Sequence, residues 1–178
     1  MNVPALDLRY PIGRYQAPEL ITAGECDIWI TELANLPENL KQAISGLNDA
    51  QLDTPYRPGG WSVRQVVHHL PDSHMNSYVR FRLALTEPSP LIKPYEEAAW
   101  AELADAKAGP TVPSLHLLEG LHTRWVALLR SLTEDEFART FRHPELGEIR
   151  LDWTLGFYAW HSRHHVAQIT GLRERSGW

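Results

Sequence analysis

Six of the chain's nine histidines fall in two short stretches. HHLPDSH supplies His68, His69 and His74, and HSRHH supplies His161, His164 and His165. Neutral imidazole is a strong ligand for zinc, nickel and iron. Residues four apart on a helix lie one above the other, with Cβ atoms about 6 Å apart. His161 and His165 therefore share a face and can chelate one cation at roughly 2.0–2.1 Å per nitrogen. The same spacing makes H-E-x-x-H a zinc-binding helix. Here Ser162, Arg163 and His164 intervene, so the glutamate base of that motif is missing and a protease of that type is not indicated. His69 is the natural third ligand. It sits at the edge of an apolar arc of Val63, Val66, Val67 and Leu70, and His68 is turned about 100° away from it on a helix. Three histidines with no cysteine leave coordination positions open, which suits chemistry better than bracing. His74 and His164 are candidates for substrate contact or for support behind the ligands. Asp72 could orient a ligand imidazole through its second nitrogen. His116, His122 and His143 are isolated and read as non-ligands.

The elements that carry these residues read as helices. An apolar stripe of Trp29, Leu33, Leu36, Leu40, Ile44 and Leu47 follows Thr22 at three- and four-residue steps. Pro37 interrupts it, where a kink or short break is expected. After the loop DTPYRPGG, Ser62 and Gln65 form a capping box, with Trp61 and Val66 as the matching hydrophobic staple. The helix then runs toward Glu87, with Pro71 predicting a kink beside the histidines. Residues 88–113 contain five prolines and read as a long excursion holding one short helix near EEAAWAEL, in the position of a lid over a site. Trp100 within it is the tryptophan placed to touch a ligand. A third long helix is expected from Ser114, marked by Leu118, Leu121, Trp125, Leu128 and Leu132. Thr133–Glu136 repeats the capping-box pattern over a short helical turn, and FRHPELGEIRL reads as a small hairpin. The last helix is expected after Asp152 as N-cap. Four long helices predict an all-α, antiparallel four-helix bundle. It forms a single domain over residues 1–178, with residues 1–21 as an extended arm.

Composition bounds the setting. A chain of 178 residues buries roughly 70% of its unfolded surface and needs no disulfide framework. A net charge of −5 argues against nucleic acid or an anionic membrane as the main partner. There is no apolar run of about 18 residues and no signal-peptide pattern, so neither a membrane span nor export is expected. The single cysteine, Cys26, reads as a small buried hydrophobe in a reducing, cytoplasmic setting.

Three runs carry a resemblance: PYRPGGWSVRQVVHHLPDSHMNSYVRFRLALTE, IKPYEEAAWAEL and YAWHSRHHVAQI. They resemble the YfiT-like branch of the DinB superfamily over nearly the whole chain, and W-S-x-R-x-x-x-H-H-x-x-D-S-H with H-x-x-x-H is a specific pattern. Pro71 departs from it, since alanine is usual there. The resemblance implies a four-helix bundle, commonly homodimeric, with His69, His161 and His165 on one zinc, nickel or iron ion. It implies a metal-dependent hydrolase acting on a small molecule. Superfamily members also include enzymes that use low-molecular-weight thiols, which makes a bacillithiol-type S-transferase the alternative. In that case Arg80, Arg82 or Arg163 would hold the thiol's carboxylates. A non-catalytic, metal-braced stress protein is the third reading, and it requires a fourth protein ligand such as His74 or Asp72.

Overall fold

The computed structural model describes residues 7–178, so the first six residues of the expected arm lie outside the described residues. Four long helices form the bundle: α1 (Ala23–Ile44), α3 (Val63–Thr86), α6 (Thr111–Leu129) and α8 (Leu151–Ser176). Short helices α2 (Asp49–Leu52), α4 (Glu97–Ala101), α5 (Ala104–Ala108) and α7 (Glu134–Phe137) lie between them, with strands β1 (Thr140–His143) and β2 (Gly147–Arg150).

Local chemistry sets the helix starts. Thr22, Asn48, Ser62 and Thr133 each head a complete capping box, with Glu25, Gln51, Gln65 and Glu136 returning the bond to the cap backbone. Two starts differ from expectation. α6 begins at Thr111, not after Ser114, with Pro113 in its first turn. A proline costs nothing there, because first-turn N–H groups have no helical acceptor. α8 begins at Leu151, with Asp152 in its first turn, where its carboxylate is buried and bonded by Arg150. Neither internal proline ends its helix: α1 continues through Pro37 and α3 through Pro71.

Neighbouring contacts give the helix directions. On α1 and α8, Trp29 meets Gly156, Glu32 meets Arg163, and the Ala43 carbonyl meets Arg173, so these two run parallel. On α3 and α6, His68 meets Ser114, His74 meets His122, and Phe81 meets Trp125, so these also run parallel. On α3 and α8 the order reverses: His69 faces His165 and Ser73 faces Tyr158. The directions are therefore up, down, down, up. The α1–α3 and α6–α8 connections join antiparallel helices. The excursion between α3 and α6 returns the chain to the end where α3 began.

That excursion holds two short helices, α4 and α5, where one was expected. It is pinned rather than loose. Leu91 forms a parallel bridge to Arg142 of β1, with the Ile92 N–H donating to the Arg142 carbonyl and the Arg142 N–H to the Pro90 carbonyl, and three buried polar residues of α3 hold the rest. Gln65 donates to the Ala101 carbonyl, Arg64 donates to the Gly109 carbonyl, and His68 reaches Ser114 and Gly109. β1 and β2 pair antiparallel from Thr140↔Arg150 to His143↔Gly147, with Gly147 at φ +78° in the turn. Residues 7–21 carry no helix or strand and lie along α8. Tyr15 bonds the Trp153 carbonyl, and the Gly13 carbonyl accepts from Trp160.

The core forms two clusters. One gathers Leu33, Phe81, Trp125, Phe141, Leu151 and Leu155; the other gathers Leu36, Leu40, Val66, Leu70, Leu118 and Ile169. Cys26 is buried in the first, and burial pushes its thiol pKa up to about 11, which makes it a packing residue and not a nucleophile. No helix among the described residues is long and apolar enough to cross a membrane.

Candidate metal centre

The antiparallel pairing of α3 with α8 brings the two histidine stretches together. His69 Nε2 lies 3.2 Å from His161 Nε2, which lies 3.2 Å from His165 Nε2. One ligating atom from each ring falls within 4.8 Å of the other two, and all three residues are buried. Tetrahedral zinc bonds of roughly 2.0–2.1 Å place neighbouring donors about 3.3 Å apart. The spacing found here fits such a cation.

Electrostatics favours the neutral rings a cation needs. Burial holds the His69 pKa down to about 4, with the nearby His164 adding to the effect. His161 and His165 are held well below the ordinary imidazole value, first by burial and then by the surrounding histidines. Three imidazoles packed this closely without a carboxylate cannot all take up protons, so their lone pairs stay available.

The rings behind the ligands are oriented from outside. His165 Nδ1 meets Gln168 Oε1 at 2.9 Å, and His161 Nδ1 meets His74 Nε2 at 3.2 Å. His74 Nδ1 in turn meets His122 Nε2 at 3.0 Å. His74 therefore supports His161 and does not face the centre as a fourth donor. Asp72 does not perform the role considered for it. Its carboxylate bonds no imidazole among the described residues, and burial together with Asp105 raises its pKa to about 6. His68 is turned toward Ser114 and Gly109, as its rotation on the helix required. His164 accepts from Gln168 Nε2 at 2.9 Å and stacks on Trp160 at 4.6 Å, so it packs beside the ligands. Sequence reasoning missed His122 and Gln168. Gln168 follows His165 at helical i+3 spacing, a signal that was readable. His122 stands alone in the sequence and left none.

A cavity of about 800 Å³ opens onto the three histidines. Aromatic side chains dominate its wall: Tyr10, Trp61, Tyr95, Trp153, Phe157, Tyr158 and Trp160. The excursion contributes Pro94, Tyr95, Glu96 and Glu97, whereas Trp100 packs on Tyr95 at 4.7 Å and does not line the cavity. Burial raises the pKa of the Tyr95 phenol, with the nearby Ser73 opposing the shift, so it stays protonated. Ser73 also bonds Tyr158. Of the three arginines considered, Arg163 pairs with Glu32 and Arg82 donates to the Tyr78 hydroxyl. Arg80 lines the cavity and has no ion pair among the described residues.

The family model of the DinB superfamily matches residues 32–169. The chain belongs to the DinB superfamily. A superfamily relative from Bacillus cereus (strain 03BB102) is 58% identical over 172 residues, covering 97% of this chain and 99% of its own, and is named provisionally as a metal-dependent hydrolase. The solved structure of YfiT from Bacillus subtilis superposes with a TM-score of 0.94 at 56% identity, covering 96% of this chain and 98% of that one. YfiT is described, also provisionally, as a metal-dependent hydrolase with an unusual four-helix bundle topology. A second four-helix bundle protein, TT2238, matches at a TM-score of 0.53 and 19% identity, a likeness of fold alone.

Proposed function

We propose that this chain is a metal-dependent hydrolase of small molecules, with His69, His161 and His165 holding one divalent cation, zinc first and nickel or iron as alternatives. The convergence of three buried Nε2 atoms, two of the contacts at 3.2 Å, carries the reading. A cation held by three imidazoles lowers the pKa of bound water toward about 7 and polarises a substrate carbonyl. The chain's own residues do the rest. Gln168 and His74 hold two ligand rings in place. The aromatic wall grips a flat apolar substrate and excludes water. The protonated Tyr95 phenol donates to an oxygen that gains charge. Glu96, Glu97 and Glu145 are the carboxylates of the same cavity able to take a proton. The reading includes a homodimer in the cytoplasm.

The test is metal content and turnover together. Zinc-loaded protein is expected to hold about one ion per chain and to hydrolyse members of an ester, amide and lactam panel. Separate alanine replacements of His69, His161 and His165 should each abolish both. Full metal retention in all three variants would sink the site, and a zinc-loaded protein inert across the panel would sink the reaction.

One observation favours a second reading, thiol S-transfer. Among the described residues no carboxylate is hydrogen-bonded to the three histidines, and a metal-bound thiol is deprotonated without a protein base. Arg80 would then receive a carboxylate of the thiol. Conjugation of an epoxide or chlorinated electrophile with bacillithiol or glutathione decides between the two.

A further inference from the structure

The outermost member of the histidine chain behind His161 rests on a backbone carbonyl whose availability is written into the sequence. In an α-helix the Leu33 carbonyl accepts from the N–H of residue 37. Residue 37 is proline, which has no N–H, and α1 runs through it unbroken. The Leu33 carbonyl instead faces His122 Nδ1 at 2.6 Å. A carbonyl can only accept, so Nδ1 of His122 carries the proton. His122 is buried, has no carboxylate partner among the described residues and holds a single proton, so its Nε2 is a lone pair. His74 Nδ1, 3.0 Å away, must then donate, which leaves His74 Nε2 as an acceptor. His161 Nδ1, 3.2 Å from that atom, must donate in its turn. The sequence of donations ends with the Nε2 lone pair of His161 facing His69 and His165.

We propose that the Leu33 carbonyl, deprived of its helical partner by Pro37, sets the tautomers of His122, His74 and His161 in succession and so presents the His161 Nε2 lone pair to the cation. This rests on the three-histidine metal reading above. His74 and His122 are positioning residues. They bring a constraint from α1 across α6 and α3 to a ligand on α8, and neither touches the cation. His122 does not line the 800 Å³ cavity; it borders a separate groove of about 600 Å³ between α1 and α6, so its replacement leaves the substrate wall intact. His165 is independent of this chain, because Gln168 sets its tautomer.

Two measurements test the proposal: imidazole ¹⁵N shifts of the metal-free protein, which report tautomers directly, and zinc affinity by chelator competition. In the wild type, His122, His74 and His161 should all show the Nδ1–H form. His122→Phe keeps a ring in the core but removes both bonds. It should lower zinc affinity about 10- to 100-fold and mix the tautomers of His74 and His161, while His165 keeps its own. That selectivity separates positioning from misfolding, which would disturb His165 as well. His122→Gln, whose amide can donate to Leu33 and accept from His74, should return the affinity to within about threefold. An Nε2–H form of His74 or His161 in the wild type, or unchanged zinc affinity in His122→Phe, would overturn the proposal. Wild-type protein that shows the expected tautomers but binds no zinc would overturn the metal reading on which it rests.

Discussion

Gln168 shows how much of the three-histidine cluster depends on residues outside it. Its Oε1 receives the Nδ1–H of His165 and its amide donates to His164, so one side chain sets the orientations of two adjacent rings one turn earlier on α8. Gln168→Leu keeps the volume and removes both bonds. Zinc affinity by chelator competition should fall about 10- to 100-fold, the usual effect of losing such a supporting bond, with the helical content of the circular dichroism spectrum unchanged. The pairing of His161 with His165 was legible, because i,i+4 spacing places them on one face whatever surrounds them. His69 was legible from the apolar arc beside it. Asp72 was misjudged for a physical reason: one helical turn from His69 is close along the axis, yet its carboxylate bonds no imidazole among the described residues, and burial raises its pKa.

At the scale of elements, the packing of α8 on α1 and the N-terminal arm is what carries His161 and His165 to their place. Gly156 marks the tightest point. A Cβ there would lie 2.5 Å from the Tyr15 hydroxyl and 2.9 Å from the Trp29 ring. Gly156→Ala should therefore destabilise the fold by about 1–3 kcal/mol, the usual effect of overpacking, read as a lower urea midpoint. An unchanged midpoint would mean that the arm moves aside freely. Helix starts at Ser62 and Thr133 were readable because a capping box is a local pattern of four residues, and the start near Thr22 was readable from the apolar stripe that follows it. The prolines were harder. Pro37 and Pro71 lie within continuous helices, because packing against neighbouring helices outweighs one missing backbone bond. The excursion's position over the cavity was read correctly, but its attachment through Arg64, Gln65 and His68 was not, since buried polar contacts across such a distance leave no periodic trace.

For the molecule as a whole, the buried imidazoles tie stability to pH. His69 and His122 have pKa values held down to about 4 by burial, while in the unfolded chain they titrate near the ordinary 6.5. Below pH 6.5 the unfolded state therefore binds more protons, and acid draws the equilibrium toward it. Metal-free protein should lose about 1.4 kcal/mol per pH unit for each such ring between pH 6.5 and 4, measured by urea unfolding at pH 7.5, 6 and 5. On the proposed metal reading, zinc binds only the folded, unprotonated rings. It should raise the melting temperature at pH 7.5, and the gain should shrink as the pH falls. A zinc-induced shift of equal size at pH 5 and 7.5 would contradict this account.

The four long helices, the starts at Ser62 and Thr133, the hairpin and the identity of three converging imidazoles were set by the sequence alone, because each rests on local spacing and local residue chemistry. Helix direction, the cavity's aromatic wall and the Leu33–His122–His74 support of His161 were decided only in the tertiary structure. Those depend on residues tens of positions apart meeting across α1, α3, α6 and α8, and no local period records which side chains will face each other once the excursion has returned the chain to run α6 parallel to α3.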